Sequence, residues 1–128
     1  MNEEENVKKL TEEEYRITQK KGTEAPFKNA YWDNHKKGVY LCKVCSKPLF
    51  DSDHKFDSGT GWPSYDQPVD KEAVAYNQDT AHGMTRIEAV CQHCGAHLGH
   101  LFEDGPEETT GLRYCINSAS LDFKEEEK

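Results

Sequence analysis

The chain is short of long apolar runs, of basic charge and of apolar residues altogether, and each shortage removes a class of protein. No apolar run exceeds about four residues, Val39-Tyr40-Leu41-Cys42 being typical, far below the roughly 20 that a membrane-spanning helix needs. Lys and Arg total 16 against 24 Asp and Glu, a formal net charge of −8. The acid sits at the ends: residues 1–14 carry six Glu against Lys8 and Lys9, and 122–128 carry four acids against two Lys, so 15–121 hold 14 acids against 12 bases. A body this close to neutral has no basic stripe for phosphates, which excludes nucleic acid and an anionic membrane surface as partners. The opening Met1-Asn2-Glu3-Glu4-Glu5 lacks the basic and apolar regions of a secretory signal, so the expectation is a cytoplasmic protein with reduced thiols. No internal repeat is present, and 128 residues with 34% hydrophobic content predict one domain over 1–128, with a core of about 11–123 and acidic, frayed termini.

What the chain does contain is one helix signal followed by strand signals. Thr11 and Glu14 fit a capping box, Leu10 and Tyr15 the flanking hydrophobic staple, and Gly22 behind Lys20 and Lys21 a stop, so a helix is predicted over about 12–20. Its expected role is to cover one face of the domain. Beyond Gly22 the apolar residues come in short runs separated by Gly, Pro, Asp and Asn, at 39–42, 73–76, 85–91, 98–102, 113–117 and 119–123, the pattern of an antiparallel β body. A loop is expected over 51–72, holding Gly59-Thr60-Gly61-Trp62-Pro63-Ser64, and loops of that length carry function more often than not.

Cys42-Lys43-Val44-Cys45 and Cys91-Gln92-His93-Cys94 are paired CxxC units. Two thiolates spaced by two residues bind one ion from a tight turn, and two such turns complete a tetrahedral four-sulfur site suited to Zn²⁺. An iron site of the same geometry, a redox-active CxxC and two disulfides are the alternatives. The compartment disfavours disulfides, and a redox motif does not explain why the unit occurs twice. His93 finds no place in a closed four-thiolate shell and is read as a surface residue.

One cysteine is left over. In Arg113-Tyr114-Cys115-Ile116-Asn117 strand alternation turns Arg113, Cys115 and Asn117 to one face and Tyr114 and Ile116 to the other. Cys115 is therefore either a small buried hydrophobe or a nucleophile, and a cation and an amide beside it favour a reactive thiolate. His97 and His100 lie just before Asp104; on a regular strand they would point to opposite faces, so either a bend intervenes or only one of them participates. A Cys/His pair supports hydrolysis, or redox chemistry in which His protonates a departing oxygen. Trp62 is either a core or lid contact or a wall for a methyl group on sulfur, since sulfur–aromatic contacts are favourable by roughly 0.3–1.5 kcal/mol.

Gly61-Trp62-Pro63-Ser64, His97-Leu98-Gly99-His100, Arg113-Tyr114-Cys115-Ile116-Asn117-Ser118 and the two CxxC pairs, in this order, resemble the methionine-R-sulfoxide reductases of type B over about Tyr15 to Phe123. The resemblance implies two antiparallel sheets with short N-terminal helices and a structural zinc on Cys42, Cys45, Cys91 and Cys94. It implies reduction of the R epimer of methionine sulfoxide in oxidised proteins, with Cys115 as nucleophile passing through a sulfenic acid and His100 as the acid at the sulfoxide oxygen. Arg113, His97, Asp104 and Asn117 correspond to the polar shell, and Trp62 to the wall of the methyl pocket. Thioredoxin or another thiol is the implied reductant, and the enzyme is expected to be a monomer. Many members carry a recycling cysteine just before Gly-Trp-Pro-Ser, where this chain has Thr60. The rivals are a zinc-stapled protein-interaction module without catalysis, in which Cys115 is inert, and a cysteine hydrolase built on Cys115 and His100.

Overall fold

Alternating burial along short segments builds two antiparallel sheets. In β1 (Gly38–Cys42) every second residue is buried, so Tyr40 and Cys42 point inward while Val39 and Leu41 are half-buried, the period of a strand with one core face. β1 pairs on one side with β2 (Pro48–Asp51) and on the other with β9 (Leu121–Glu125), making a three-stranded sheet. Six further strands follow: β3 (Lys55–Phe56), β4 (Ser64–Tyr65), β5 (Val74–Asp79), β6 (Arg86–Cys91), β7 (His97–Phe102) and β8 (Arg113–Ile116). They form a second sheet in the order β3-β4-β8-β7-β6-β5. The computed structural model describes residues 7–80, 83 and 85–126.

The mainly β, two-sheet architecture is as expected, and so is helix α1 (Glu12–Lys20). Its capping box is formed in both directions: Glu14 N–H donates to Thr11 Oγ1 at 3.1 Å and Thr11 N–H to Glu14 Oε1 at 2.9 Å. The stop is one residue earlier than Gly22, because Lys21 itself adopts the left-handed conformation, φ 59°. α1 buries Ile17 and Thr18 and packs on β7 and the 3₁₀ turn Ser118–Ser120, which places Lys21 beside the large sheet.

Three strands were not foreseen. β3 and β4 lie inside the segment expected to be a loop, and β2 begins with Pro48; runs of two to four residues are too short to show a period of two. The expected fraying of the tail is wrong for 124–126, since β9 runs to Glu125 and the N–H of Glu126 donates to the carbonyl of Lys37 at 2.8 Å. The expectation for residues 1–6 and 127–128 lies outside the described residues.

Aromatic rings join the two sheets. Phe50 of β2 stacks on Tyr65 of β4 at 4.3 Å between ring centres, Tyr40 of β1 meets Tyr65 at 5.3 Å, and Phe50 meets Tyr114 of β8 at 5.7 Å. Such offset and edge contacts contribute about 0.5–1.5 kcal/mol each beyond area burial. They let an apolar-poor chain hold a core. The inward face of β8, Tyr114 and Ile116, is therefore fixed in the core, and Cys115 between them is turned to the opposite face.

β7 and β8 approach so closely at Gly99 that a Cβ there would lie 1.9 Å from the carbonyl oxygen of Cys115. The obstacle is backbone and cannot swing away. Gly99→Ala is expected to cost on the order of 3 kcal/mol through forced strand separation, read as a lower urea midpoint. An unchanged midpoint would mean that the strands separate freely.

Candidate active site

The register of the large sheet sets a row of chemistry-bearing side chains across one face. Ser64 of β4 is the cross-strand partner of Cys115 of β8, Cys115 of His100 of β7, and His100 of Glu88 of β6. Partners in register share a face, with Cβ atoms about 4.5–5.5 Å apart. His97 joins the same face through a β-bulge. Ala89 pairs with Gly99 but Val90 with His97, so Leu98 is an extra residue on β7, and the bulge shifts the alternation by one. This is the bend that two histidines three residues apart required. Their rings meet edge to face at 5.4 Å.

Each histidine is held by a carboxylate that sequence reasoning missed. His97 Nδ1 donates to Glu88 Oε2 at 2.7 Å with both side chains buried, and His100 Nε2 contacts Asp79 Oδ2 at 2.8 Å. Burial pushes Glu88 up, but the His97 N–H and the Lys21 ammonium, 3.4 Å away, outweigh it and hold the carboxyl below its usual range. His97 is held below the ordinary imidazole value, chiefly by burial. A trace of this was in the sequence. In β6 Glu88 is 1% exposed while its neighbour Ile87 is 43% exposed, an alternation in the reverse phase to hydrophobicity, and a carboxylate tolerates such burial only when paired.

Arg113 is buried on the same face. Its Nε and Nη2 donate to the two carboxylate oxygens of Asp104 at 2.8 and 3.3 Å, and its guanidinium lies 4.5 Å from the centre of the Phe102 ring. This fork draws the Asp104 carboxyl below its usual range. Around Cys115 the balance differs from the expected ready thiolate. Burial raises the thiol above its ordinary pKa, and the hydrogen bond and charge of Arg113 offset that only in part. The surroundings therefore favour the neutral thiol over the thiolate.

The segment expected to be a loop borders this face. Ser64 is buried, and its Oγ shares a hydrogen bond of 2.7 Å with Ser58, which shares one of 2.8 Å with Thr60. Trp62, half-buried, donates its indole N–H to the carbonyl of Glu24 at 3.0 Å. Glu24, also unforeseen, is buried; its carboxylate accepts the N–H groups of Ser118 and, at 2.9 Å, Ala119. Asn117 Oδ1 accepts the N–H of Glu24 at 3.2 Å and its Nδ2 donates to Leu98 at 3.1 Å. Glu24 thus ties the tryptophan loop to the end of β8.

Where β1 and β6 end, the four CxxC sulfurs converge within 4.8 Å of one another, with Cys42–Cys94 at 3.6 Å and Cys45–Cys91 at 3.5 Å. A tetrahedral thiolate site with Zn–S of about 2.3 Å has sulfurs about 3.8 Å apart, so the donors fit such an ion, whereas a disulfide needs about 2.05 Å. The two turns are near copies. Ser46 N–H bonds to the Cys42 carbonyl at 2.9 Å with Ser46 at φ 64°, and Gly95 N–H bonds to the Cys91 carbonyl at 2.8 Å with Gly95 at φ 78°. His93 between them is exposed.

The SelR domain family model matches residues 10–125. The chain belongs to the SelR family. Two relatives named peptide methionine sulfoxide reductase MsrB give the family its chemistry. The protein from Thioalkalivibrio sulfidiphilus is 58% identical over 116 residues, covering 91% of this chain and 84% of the relative. That from Chromohalobacter salexigens is 55% identical over 114 residues, covering 89% and 86%. The crystal structure of a Mis18 "Yippee-like" domain shares the fold, at a TM-score of 0.57 and 16% identity, over 73% of this chain and all of that one. Among the described residues of this SelR protein, no helix is long and apolar enough to cross a membrane.

Proposed function

We propose that the row Ser64–Cys115–His100 is where this SelR-family oxidoreductase reduces methionine-R-sulfoxide in oxidised proteins. Membership of the family makes the chain a peptide methionine (R)-S-oxide reductase; the roles of its residues are our reading. The observation that carries them is the register of His100 beside Cys115 on one face of the large sheet.

Cys115 Sγ attacks the sulfoxide sulfur, the sulfur–oxygen bond breaks, and the oxygen passes to Cys115. The balance is one thiol and one sulfoxide giving one sulfenic acid and one thioether. His100 gives a proton to the oxygen as charge grows on it, anchored by Asp79 through its other nitrogen. Arg113, fixed by Asp104, stabilises negative charge on the Cys115 sulfur. Asn117 and His97 complete the polar shell, and Trp62, held by its bond to Glu24, is the wall for the methyl group. One thiol of thioredoxin or another reductant then condenses with the sulfenic acid to a mixed disulfide and water, and a second thiol frees Cys115.

Cys42, Cys45, Cys91 and Cys94 hold zinc, which when bound supplies a cross-link and no redox step. The enzyme is a cytoplasmic monomer in this reading, a single domain over 1–128. Assays with dithiothreitol and each pure epimer test it. The R epimer should turn over and the S epimer should not, because a fixed wall and a fixed donor accept the sulfur substituents in one handed order. Comparable turnover of both epimers, or activity surviving Cys115→Ser, would refute the assignment. The interaction-module alternative predicts no turnover of either.

A further inference from the structure

Glu88 carries out none of the steps above, yet it is a carboxylate 1% exposed on the reacting face, opposite His100. We propose that Glu88 is a positioning residue for the reduction: it holds His97 with its proton on Nδ1, so that Nε2 is the acceptor for the proton that Cys115 sheds. The inference rests on the placement of the reaction at Cys115.

An ionised carboxylate only accepts, so the 2.7 Å contact from His97 Nδ1 to Glu88 Oε2 places the ring proton on Nδ1 in the neutral imidazole. Nε2 is then a lone pair. It is buried and has no hydrogen-bond partner among the described residues, and a buried polar atom without a partner calls for an explanation. The bulge at Leu98 brings this ring to the face of Cys115, and the His100 ring stands edge to face with it at 5.4 Å.

The charged groups around the ring fix the division of labour. Glu88 from β6 favours the protonated imidazole, His100 from β7 and Lys21 behind α1 oppose it, and burial opposes it most. His97 therefore stays neutral as an acceptor, and the donor role falls to His100, whose Nε2 rests on Asp79. The proton balance closes, because Cys115 loses one proton to His97 Nε2 and the sulfoxide oxygen gains one from His100. The sulfenic acid leaves the pair with the same total as before.

The test uses the full-length, zinc-loaded protein. Nitrogen-15 NMR of the wild type should show His97 with a protonated Nδ1 and an unprotonated Nε2 at neutral pH. A protonated Nε2 would overturn the proposal without any variant. Glu88→Gln presents an amide that donates to Nδ1 and reverses the tautomer. It should lower the single-turnover rate of sulfenic acid formation by about 10²- to 10⁴-fold, the range seen when a base is held in the wrong tautomer, with little change in KM. It also removes the charge that favours imidazolium, so the acid limb of the rate should move to lower pH. A purely structural Glu88 would change the thermal midpoint but not the position of that limb. If Glu88→Gln fails to fold, Glu88→Asp, which keeps the charge, should restore folding, the Nδ1 proton and the acid limb together. An unshifted limb and an unchanged rate in folded Glu88→Gln, with Cys115→Ser still inactive, would overturn this role alone. Activity in Cys115→Ser would overturn the site itself.

Discussion

Removing zinc, or replacing Cys94 with Ser, should abolish the cooperative unfolding transition at physiological temperature. Cys42 ends β1 in the small sheet and Cys91 ends β6 in the large one, so an ion on the four sulfurs ties the sheets together. Apparent zinc affinities of thiolate sites correspond to about 10–16 kcal/mol, as large as the whole stability of a domain, about 5–15 kcal/mol. Without the ion, four thiols within 4.8 Å of one another cannot all ionise, because no cation lies between them. We expect one zinc per chain by elemental analysis, and a fall in the thermal midpoint of tens of degrees on chelation or in Cys94→Ser. Reduced protein free of metal, or a midpoint that chelation leaves in place, would show that the aromatic contacts between sheets suffice.

That site was legible in the sequence because its information is local. Two CxxC units and Gly95 specify a turn each, and any fold that brings the turns together completes the shell. α1 was legible for the same reason, since a capping box is satisfied within four residues. Cys115 was half legible: strand alternation correctly set Tyr114 and Ile116 in the core and Arg113 and Cys115 opposite, but the depth of burial that raises the thiol was invisible. Hence the balance at Cys115 leans toward the thiol and away from the expected thiolate. The partners of the histidines were hidden because they are non-local. Asp79 lies 21 residues before His100 and Glu88 nine before His97, so only the sheet order and the bulge at Leu98 bring them together. The short strands β3 and β4 exist because β8 offers an edge to β4 and β4 in turn to β3, a tertiary cause that a two-residue pattern does not record.

After one turnover without reductant, Cys115 should persist as a sulfenic acid. The other four cysteines lie within 4.8 Å of one another at the metal site, and position 60 carries a hydroxyl. Thr60 connects through Ser58 to Ser64, the strand neighbour of Cys115, by hydrogen bonds of 2.8 and 2.7 Å, so the loop brings residue 60 toward the nucleophile with nothing there to resolve it. A sulfenate trap followed by mass spectrometry should label the peptide containing Cys115, with one methionine released per chain and no internal disulfide. Recycling then depends on an outside thiol reaching a half-buried sulfur. Small dithiothreitol should manage this readily, and thioredoxin, which must present its thiolate from a protein surface, more slowly. Thr60→Cys should reverse the order. The new thiol would condense with the Cys115 sulfenic acid to a disulfide and water, moving the point of reduction onto a loop flanked by Gly59 at φ 78° and Gly61 at φ 90°. Thioredoxin-dependent turnover should rise on the order of tenfold, while the rate of the first methionine released is unchanged, because the attack on the sulfoxide precedes resolution. A wild-type disulfide between Cys115 and any of Cys42, Cys45, Cys91 or Cys94, accompanied by release of zinc, would overturn this account. The metal site would then be a resolving partner, and the cross-link between the sheets would open with every catalytic cycle.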